Sequence, residues 1–197
     1  MKVLNLVEGY KSHVYTSNVY LITGDFNSIP DVNTLIDAGR DPSIISKIKN
    51  ASTGVGKKRV EQLILTHSHY DHVGMLGEIK KEFNPIVMAF SNLIDGIDVI
   101  LRDGEVIKAG DASLEVIYMP GHSNDSILLY DKKNQILFAG DSPLIIKSTG
   151  NSYEDEFIRV FERVCSLKIR IIYFGHGGPL DRGVEAVLKK SLSMLKK

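Results

Sequence analysis

Five of the six histidines in the sequence lie in short segments that also contain aspartate or glycine. The densest of these segments is 66–72, THSHYDH, which contains His67, His69, Asp71 and His72. Neutral imidazole and carboxylate groups are suitable ligands for zinc, iron, manganese or cobalt, and the segment lacks the thiolates typical of a structural zinc site. The residue types therefore predict a metal centre that performs chemistry.

The spacing within this segment indicates two adjacent metal positions. In an extended chain, side chains two residues apart point the same way, so His67 and His69 should converge on one point. Asp71 and His72 follow on the turn and can face a neighbouring point. Histidines that fill a core or coat a surface should not be concentrated in this way. We therefore interpret the pattern as metal ligation rather than as polar residues without a metal.

Three more candidate ligands follow apolar segments later in the chain. Each lies directly beside glycine, which lets the backbone come close to a metal. They are His122 in PGH, Asp141 in GD and His176 in GHGG. Together with the first four residues they form a predicted set of seven ligands around two metal ions.

The hydrophobic pattern places these candidates at the ends of predicted strands. Short β-branched segments separated by Gly, Pro, Asn or Asp predict an amino-terminal sheet from VLNLVEG, HVYTSNVYLITG and VNTLIDAG. VEQLILTH predicts a buried strand, and a helix with Val73, Leu76, Ile79 and Phe83 on one face follows the metal segment. The middle of the chain predicts a second sheet from PIVMAF, EVIKAG, ASLEVIYMP, SILLYD and QILFAG.

Helices are predicted around these strands. DPSIISKIKN has helical spacing, a later helix contains Phe157, and the chain closes with the strand RIIYFGH and an amphipathic helix from about Val184 to Leu195. Two sheets need cover on their outer faces. Strands followed by helices in each half therefore predict an α/β fold, a four-layer α/β/β/α sandwich of two mixed β-sheets covered by helices.

Length and composition favour a single domain, 1–197. Of the 197 residues 43% are hydrophobic, and 24 acidic residues balance 24 basic ones, so no net field attracts nucleic acid or an anionic membrane. The amino-terminal apolar stretch is too short for a secretion signal, and nowhere do about 18 apolar residues run together. We expect a cytoplasmic protein that acts on a small molecule. Cys165, on the apolar face of a predicted helix, is interpreted as core filler rather than a reactive thiol.

The chain resembles the metallo-β-lactamase superfamily, and in particular its glyoxalase II-like hydrolase branch. The motifs THSHYDH, PGHS, FAGD and YFGHG occur in the family's order. NVYLI with Asn18 and LIDAG with Asp37 resemble the family's amino-terminal strands, so the resemblance spans almost the whole chain. It implies the metallo-β-lactamase fold for the single domain.

The resemblance also implies how the ligands divide between two divalent metal ions, most commonly zinc, with iron or manganese as alternatives. One ion would bind His67, His69 and His122. The other would bind Asp71, His72 and His176, and Asp141 would bridge both. Asp37 resembles the family's carboxylate that orients the ligand loop, and a turn aspartate is an equal alternative.

A dinuclear centre of this kind predicts hydrolysis. Two ions about 3.5–4 Å apart can share a hydroxide, because bound metal lowers the pKa of water towards about 7. The sequence has no G-x-S-x-G elbow and no cysteine–histidine signature, so the attacking group should be water. We expect attack on a small ester or thioester, or on a lactone, with Asp71 as the catalytic residue that orients the hydroxide.

Four residues near the predicted site have two interpretations each. Asp125 stands where the family commonly has glycine after PGH, and it either perturbs the site or belongs to a turn. Lys147 and Tyr153 either contact an anionic substrate or lie in a loop. Tyr70 either points into the pocket or packs beneath it.

The resemblance leaves the substrate and the reaction open. Glyoxalase II enzymes have a carboxy-terminal helical region that helps bind glutathione, whereas only one helix is predicted after His176, so glutathione thioesters are not the expected substrate. A mononuclear iron oxygenase resembling the persulfide dioxygenases would have the same fold and much of the same motif set. A non-catalytic scaffold is a third possibility, and the complete ligand set speaks against it.

Overall fold

A six-stranded sheet contains the amino-terminal strands of the computed structural model, which describes residues 1–148 and 153–195. Its strands lie side by side in chain order: β1 (Lys2–Val7), β2 (Val19–Thr23), β3 (Thr34–Ile36), β4 (Gln62–Ile64), β5 (Ile86–Ala89) and β6 (Val99–Ile100). The first three strands pair antiparallel, and the pairs from β3 to β6 are parallel. The first sheet is therefore mixed.

The second sheet has five strands, in the order β11-β10-β9-β8-β7. They are β7 (Val106–Ala109), β8 (Ala112–Tyr118), β9 (Ile127–Asp131), β10 (Ile136–Gly140) and β11 (Ile171–Phe174). Neighbours pair antiparallel except β10 and β11, which are parallel. The helices are α1 (Ser43–Asn50), α2 (Tyr70–Val73), α3 (Leu76–Phe83), α4 (Asp155–Ser166) and α5 (Val184–Leu195). A parallel pair needs a crossover connection, and α4 lies within the one between β10 and β11.

Three apolar layers hold the sheets and helices together. Ile44 and Ile48 of α1 pack with α3 against the outer face of the first sheet. Ile64 of the first sheet and Phe138 of the second belong to the layer between the sheets. Phe161 of α4 belongs to the third layer, which joins the second sheet to α4 and α5. Burial of each such side chain contributes about 1.5–3 kcal/mol. The predicted four-layer α/β/β/α sandwich is confirmed.

One predicted strand belongs to the other sheet. The sequence pattern groups PIVMAF with the second sheet, but its residues form β5, which lies parallel beside β4 in the first. The reason is that α3 connects β4 to β5, and such a crossover returns the chain to the same sheet in a parallel direction. Periodicity detects a strand without indicating its partner.

Two predicted elements are shorter than their apolar patterns. The helix predicted after the metal segment is divided, because Gly74 and Met75 separate α2 from α3. In HVYTSNVYLITG the strand begins only at Val19, and the residues before it form a loop. The Ser17 N–H in that loop donates to the Asp71 carbonyl over 3.1 Å instead of joining a sheet.

The two sheets meet at the edge where β3, β4, β10 and β11 end. The Asn18 N–H donates to the Gly175 carbonyl over 2.6 Å, and the Ile127 N–H donates to the Thr66 carbonyl over 2.9 Å. Backbone hydrogen bonds thus fix the ends of the strands that precede the predicted ligands. None of the described helices combines the length and hydropathy needed to cross a membrane.

Candidate metal centre

The structure brings all seven predicted ligands together in two adjacent groups. The first group contains His67, His69 and His122, and the second contains Asp71, His72, Asp141 and His176. Within each group the ligand atoms lie within 4.8 Å of one another. Asp141 also reaches the first group, because its Oδ2 is 3.5 Å from Nε2 of His122 and 3.4 Å from Nε2 of His176. The arrangement is the predicted one, and metal binding itself stays a prediction.

Each group combines residues from both sheets. The segment from His67 to His72 follows β4 of the first sheet, whereas the second sheet supplies the residues after β8, β10 and β11. Within the segment, the His72 N–H donates to the His69 carbonyl over 2.9 Å at the start of α2. This tight turn directs Asp71 and His72 towards the second group while His67 and His69 face the first.

Asn18 fixes the turn that contains His176. Its side-chain Nδ2 donates to the carbonyl oxygens of Phe174 and Gly177, each over 2.8 Å. Asn18 is completely buried, and its backbone N–H also binds the Gly175 carbonyl. Local sequence patterns predict no function for Asn18 beyond the strand motif, because these contacts join residues more than 150 positions apart.

Gly175 allows the end of β11 to pass directly beside the ligands. A Cβ at this position would lie 2.1 Å from Oδ1 of Asp141 and 2.6 Å from Cε1 of His72. The Gly175 N–H donates to the carbonyl of Gly140, which has a φ of +50° that few side chains tolerate. Gly175 is therefore required because the backbone passes close to the ligands, and not because the chain turns there.

Buried ligand atoms without aligned hydrogen-bond partners show that the residues fit a metal. Among the described residues, such atoms are Nε2 of His67, His72 and His176, Oδ2 of Asp71 and Oδ1 of Asp141. Leaving a buried polar atom unsatisfied costs about 1–3 kcal/mol, so natural proteins rarely do so without a functional reason. When the nitrogen and oxygen atoms of each group bind a divalent cation, they are no longer unsatisfied and this cost is removed.

Asp37 orients the ligand His72. Oδ2 of Asp37 lies 2.9 Å from Nδ1 of His72, so Nδ1 holds the proton and Nε2 faces the second group. Oδ1 of Asp37 accepts a hydrogen bond from the Thr66 N–H at 2.8 Å. Asp37 itself has a φ of +59°, a conformation that is unfavourable for aspartate and is held by these contacts. Of the two interpretations of Asp37, the structure favours the orienting carboxylate.

Thr66 extends this orientation to the first group. Its hydroxyl donates to the Asp37 carboxylate, at 2.9 Å from Oδ2, and lies 3.1 Å from Nδ1 of His67. Because the Thr66 hydroxyl donates its hydrogen to Asp37, it must accept in its contact with His67. Nδ1 of His67 therefore has the proton, and Nε2 of His67 is free for a metal. Asp37 therefore positions one histidine of each group, directly and through Thr66.

We expect Asp37→Ala to lower metal affinity about 10- to 100-fold, because outer carboxylates of metal sites typically contribute that much. Thr66→Val should give a smaller loss, since it removes the hydroxyl that links Asp37 to His67 but leaves the contact between Asp37 and His72. Competition with a chromophoric chelator measures both affinities, and circular dichroism confirms that each variant is folded. Wild-type affinity in Asp37→Ala would show that the ligands need no such support.

The charges of the second group favour protonated imidazole in the metal-free protein. Burial opposes a charge on His72, but the carboxylates of Asp37 and Asp141 outweigh it and raise its pKa to about 10. Burial raises the pKa of Asp141, yet the nearby imidazoles of His176 and His72 lower it further, so Asp141 is ionised. A metal ion must displace the proton on His72. Metal affinity should therefore fall as the pH falls.

The first group differs from the second in charge. Burial and the neighbouring His72 lower the pKa of His67 to about 3, so His67 is neutral and ready to bind a metal. Nδ1 of His69 and Nε2 of His122 face each other at 2.9 Å. His69 is exposed and the side chain of His122 is 28% exposed, whereas Asp71 and His72 are buried. The side chain of His176 in the second group is 34% exposed, so a substrate can reach both groups from solvent.

Two cavities meet at His122. One has a volume of about 270 Å³ and is lined by His122, Gly140, Asp141, Ser142, Phe174 and His176. The other has a volume of about 220 Å³ and lies between residues 120–124 and the side chains of Tyr153 and Glu154. Neither is lined by lysine or arginine among the described residues. The site is thus a groove that extends past His122 in two directions.

The structure also gives positions for the other residues that were interpreted from the sequence, Asp125, Lys147, Tyr153 and Cys165. Oδ1 of Asp125 accepts a hydrogen bond from the Ser123 hydroxyl at 2.7 Å, as expected of a turn aspartate. Tyr153 stacks on Phe157 and faces the second cavity, while Lys147 is exposed. Cys165 is partly buried against the core between the second sheet, α4 and α5, so its predicted burial is incomplete.

Tyr70 fits neither of its predicted positions. Its side chain is 56% exposed, and its hydroxyl accepts a hydrogen bond from Arg40 at 2.7 Å. The sequence did not indicate Arg40, because its contact with Tyr70 joins residues 30 positions apart. Tyr70 therefore lies at the surface of the site rather than within or beneath the pocket.

Comparison with known proteins identifies similar sequences. The family model described as the metallo-beta-lactamase superfamily matches residues 14–96 and 89–176. An atrochrysone carboxyl ACP thioesterase from Aspergillus fumigatus is 27% identical over 75% of this chain and 48% of its own length. A hydroxyacylglutathione hydrolase from Bartonella tribocorum is 29% identical over 72% of this chain and 56% of its own length. The chain thus spans about half the length of these relatives.

A solved structure has the same fold. ETHE1 from Myxococcus xanthus superimposes with a TM-score of 0.69 over 99% of this chain and 88% of its own, at 20% sequence identity. At this identity the similarity concerns the fold, and the reaction must be argued from the site.

Proposed function

The chain belongs to the metallo-beta-lactamase superfamily, and on that premise we propose that it is a metal-dependent hydrolase of small esters or thioesters. The observation that supports this most directly is the position of Asp141 between two complete groups of ligands. A protein that only bound a partner would have no physical need for this arrangement.

The donor atoms define what would bind. His67, His69 and His122 would hold one divalent ion, and Asp71, His72 and His176 the second, with Asp141 in contact with both. Imidazole and carboxylate donors without thiolates suit zinc, which we propose as the resident metal, and they also suit iron or manganese. When bound, such ions polarise a substrate carbonyl and lower the pKa of water towards about 7, so that hydroxide is present at neutral pH.

The residues of the chain position these reactants. Asp71 is 5% exposed, and its Oδ2 lies 3.0 Å from Nε2 of His176, so its carboxylate is fixed at the centre of the site. There it can accept a hydrogen bond from the attacking water and orient its lone pair towards the substrate carbonyl. Asp37 and Thr66 keep one histidine of each group, His67 and His72, in the tautomer that leaves Nε2 available.

The groove and the relatives support an acyl substrate. The two cavities that meet at His122 can hold an extended molecule on both sides of the reacting bond. The two similar sequences are named as a thioesterase and a hydrolase. Because no described lysine or arginine lines the groove, the carboxylates of a glutathione leaving group would have no cationic partner there. We therefore propose a substrate other than a glutathione thioester.

Elemental analysis combined with a substrate panel tests this function. Protein purified without added metal should contain two divalent ions per chain and should hydrolyse thioesters faster than lactones or phosphodiesters. Treatment with a chelator should remove the activity, and zinc should restore it. The dialysed metal-free protein, checked by circular dichroism, is the control for folding.

The same measurement distinguishes the proposed hydrolase from the alternative, an iron-dependent oxygenase. One iron per chain, together with oxygen consumption in the presence of a persulfide and no ester hydrolysis, would establish an oxygenase instead. The structure favours two ions, since the second group has four donors of its own beside the three histidines of the first.

A further inference from the structure

Two exposed tyrosines lie beside the second ligand group. Tyr15 is 65% exposed, and its ring stacks on the imidazole of His176, with centroids 5.4 Å apart and an angle of 20° between the planes. Tyr70 is 56% exposed and lies between the candidate ligands His69 and Asp71 in the chain. Tyr15 therefore packs against a ligand of the second group, and Tyr70 lies at the surface of the segment that contains ligands of both groups.

Arg40 connects these tyrosines. Its guanidinium carbon lies 4.7 Å from the centre of the Tyr70 ring, and Nη1 donates to the Tyr70 hydroxyl at 2.7 Å. The same Nη1 lies 3.5 Å from the Tyr15 carbonyl oxygen. Stacking and hydrogen bonding restrict the guanidinium to one orientation, so little conformational freedom is lost when it binds a further group.

Backbone contacts hold this cluster at a fixed position relative to the metal centre. The Arg40 N–H donates to the Thr16 hydroxyl at 2.7 Å. The following residue, Ser17, donates its N–H to the carbonyl of Asp71. The loop that contains Tyr15 is thus attached both to Arg40 and to a segment that contains ligands.

The charge of Arg40 has no acidic partner in the part of the chain that the structure describes. Its contacts there are to a hydroxyl, a carbonyl and a ring, and none is to a carboxylate. The remaining N–H groups of this guanidinium, together with the hydrogen of the Tyr70 hydroxyl beside it, form a group of donors suited to a carboxylate.

We infer that Arg40, Tyr15 and Tyr70 form a recognition site for a carboxylate at the acyl end of the substrate. The groove past His122, which has no described cation, then takes the opposite end. This inference rests on the proposed hydrolase function and names its substrate class: an ester or thioester whose acyl chain ends in a carboxylate.

Paired substrates test the inference. S-phenyl monothioesters of glutarate and adipate are compared with the thioesters of pentanoate and hexanoate, which lack the terminal carboxylate. We expect the metal-loaded wild type to prefer the acidic substrates. Arg40→Gln should lower the ratio of kcat/KM values, acidic over neutral, about 10- to 100-fold, because hydrogen bonds to charged groups contribute that much.

Two further variants make the test specific. Arg40→Lys keeps the charge without the planar fork and should recover part of the preference. Arg170→Gln removes an equal charge at the opposite end of β11 and should leave the ratio unchanged. A ratio that Arg40→Gln does not change, including an equal loss for both substrate types, would overturn the inference.

A binding measurement keeps this inference separate from the proposed function. Isothermal titration of metal-loaded protein with adipate should show binding that weakens at least about tenfold in Arg40→Gln. If no thioester is hydrolysed but adipate binding depends on Arg40, the proposed function is wrong and the recognition site stands. If the thioesters are hydrolysed and adipate binds both proteins equally, only the recognition site is wrong.

Discussion

Asp141→Asn leaves less than one tightly bound metal ion per chain and lowers kcat more than about 100-fold; this is the result we expect. Outer carboxylates of metal sites typically contribute about 10- to 100-fold, so a carboxylate in contact with both metal positions should exceed that range. Asparagine keeps the size of the side chain and removes its charge. Metal content after gel filtration and initial rates with a thioester measure the two effects.

The control for this variant is Asp181→Asn. Asp181 follows His176 in the same part of the chain and is exposed to solvent, so its amide variant should retain both metal ions and the wild-type rate. If Asp141→Asn keeps its metal and more than half of its activity, Asp141 does not connect the two positions and the proposed mechanism fails.

Gly175→Ala is expected to have the second largest effect. The added methyl group would lie 2.1 Å from Oδ1 of Asp141, so Asp141, His72 or the end of β11 must move. Displacing the reacting groups by about 1 Å can lower a rate about 100-fold. We expect a loss of that order in kcat, with metal content reduced and secondary structure retained.

Gly178→Ala is the matched control, three residues later in the same turn. A Cβ at Gly178 would have no heavy atom within 4 Å, so this variant should keep wild-type metal content and kcat. Equal effects of the two substitutions would attribute the loss to general strain in the turn. Wild-type behaviour of Gly175→Ala would mean that the ligands tolerate a shift of this size.

The family and the layer order could be predicted because they depend on residue types and local spacing. His67 and His69 are two residues apart on extended chain, and His122, Asp141 and His176 each follow an apolar strand beside glycine. These patterns can be recognised in the sequence without knowledge of the tertiary structure. The resemblance to the superfamily is confirmed, and the structure brings the predicted ligands together.

The remaining features depend on contacts between distant parts of the chain. Thr66 and Asp37 are separated by 29 residues, and Tyr70 and Arg40 by 30, so no local spacing reveals that they meet. The assignment of residues 86–89 to the second sheet was wrong for the same reason. A strand's neighbours are decided by its connections and not by its own hydrophobic pattern.

The division of the ligands between the two sheets has a thermodynamic consequence. Each ligand group joins residues that follow β4 to residues of the second sheet, so metal binds only when both halves are folded and docked. By mass action, free metal at 100 times its dissociation constant would add about 2.7 kcal/mol to the free energy of unfolding for each site. The bound ions would then couple the unfolding of the two halves, and removal of the ions would allow the sheets to separate at a lower temperature.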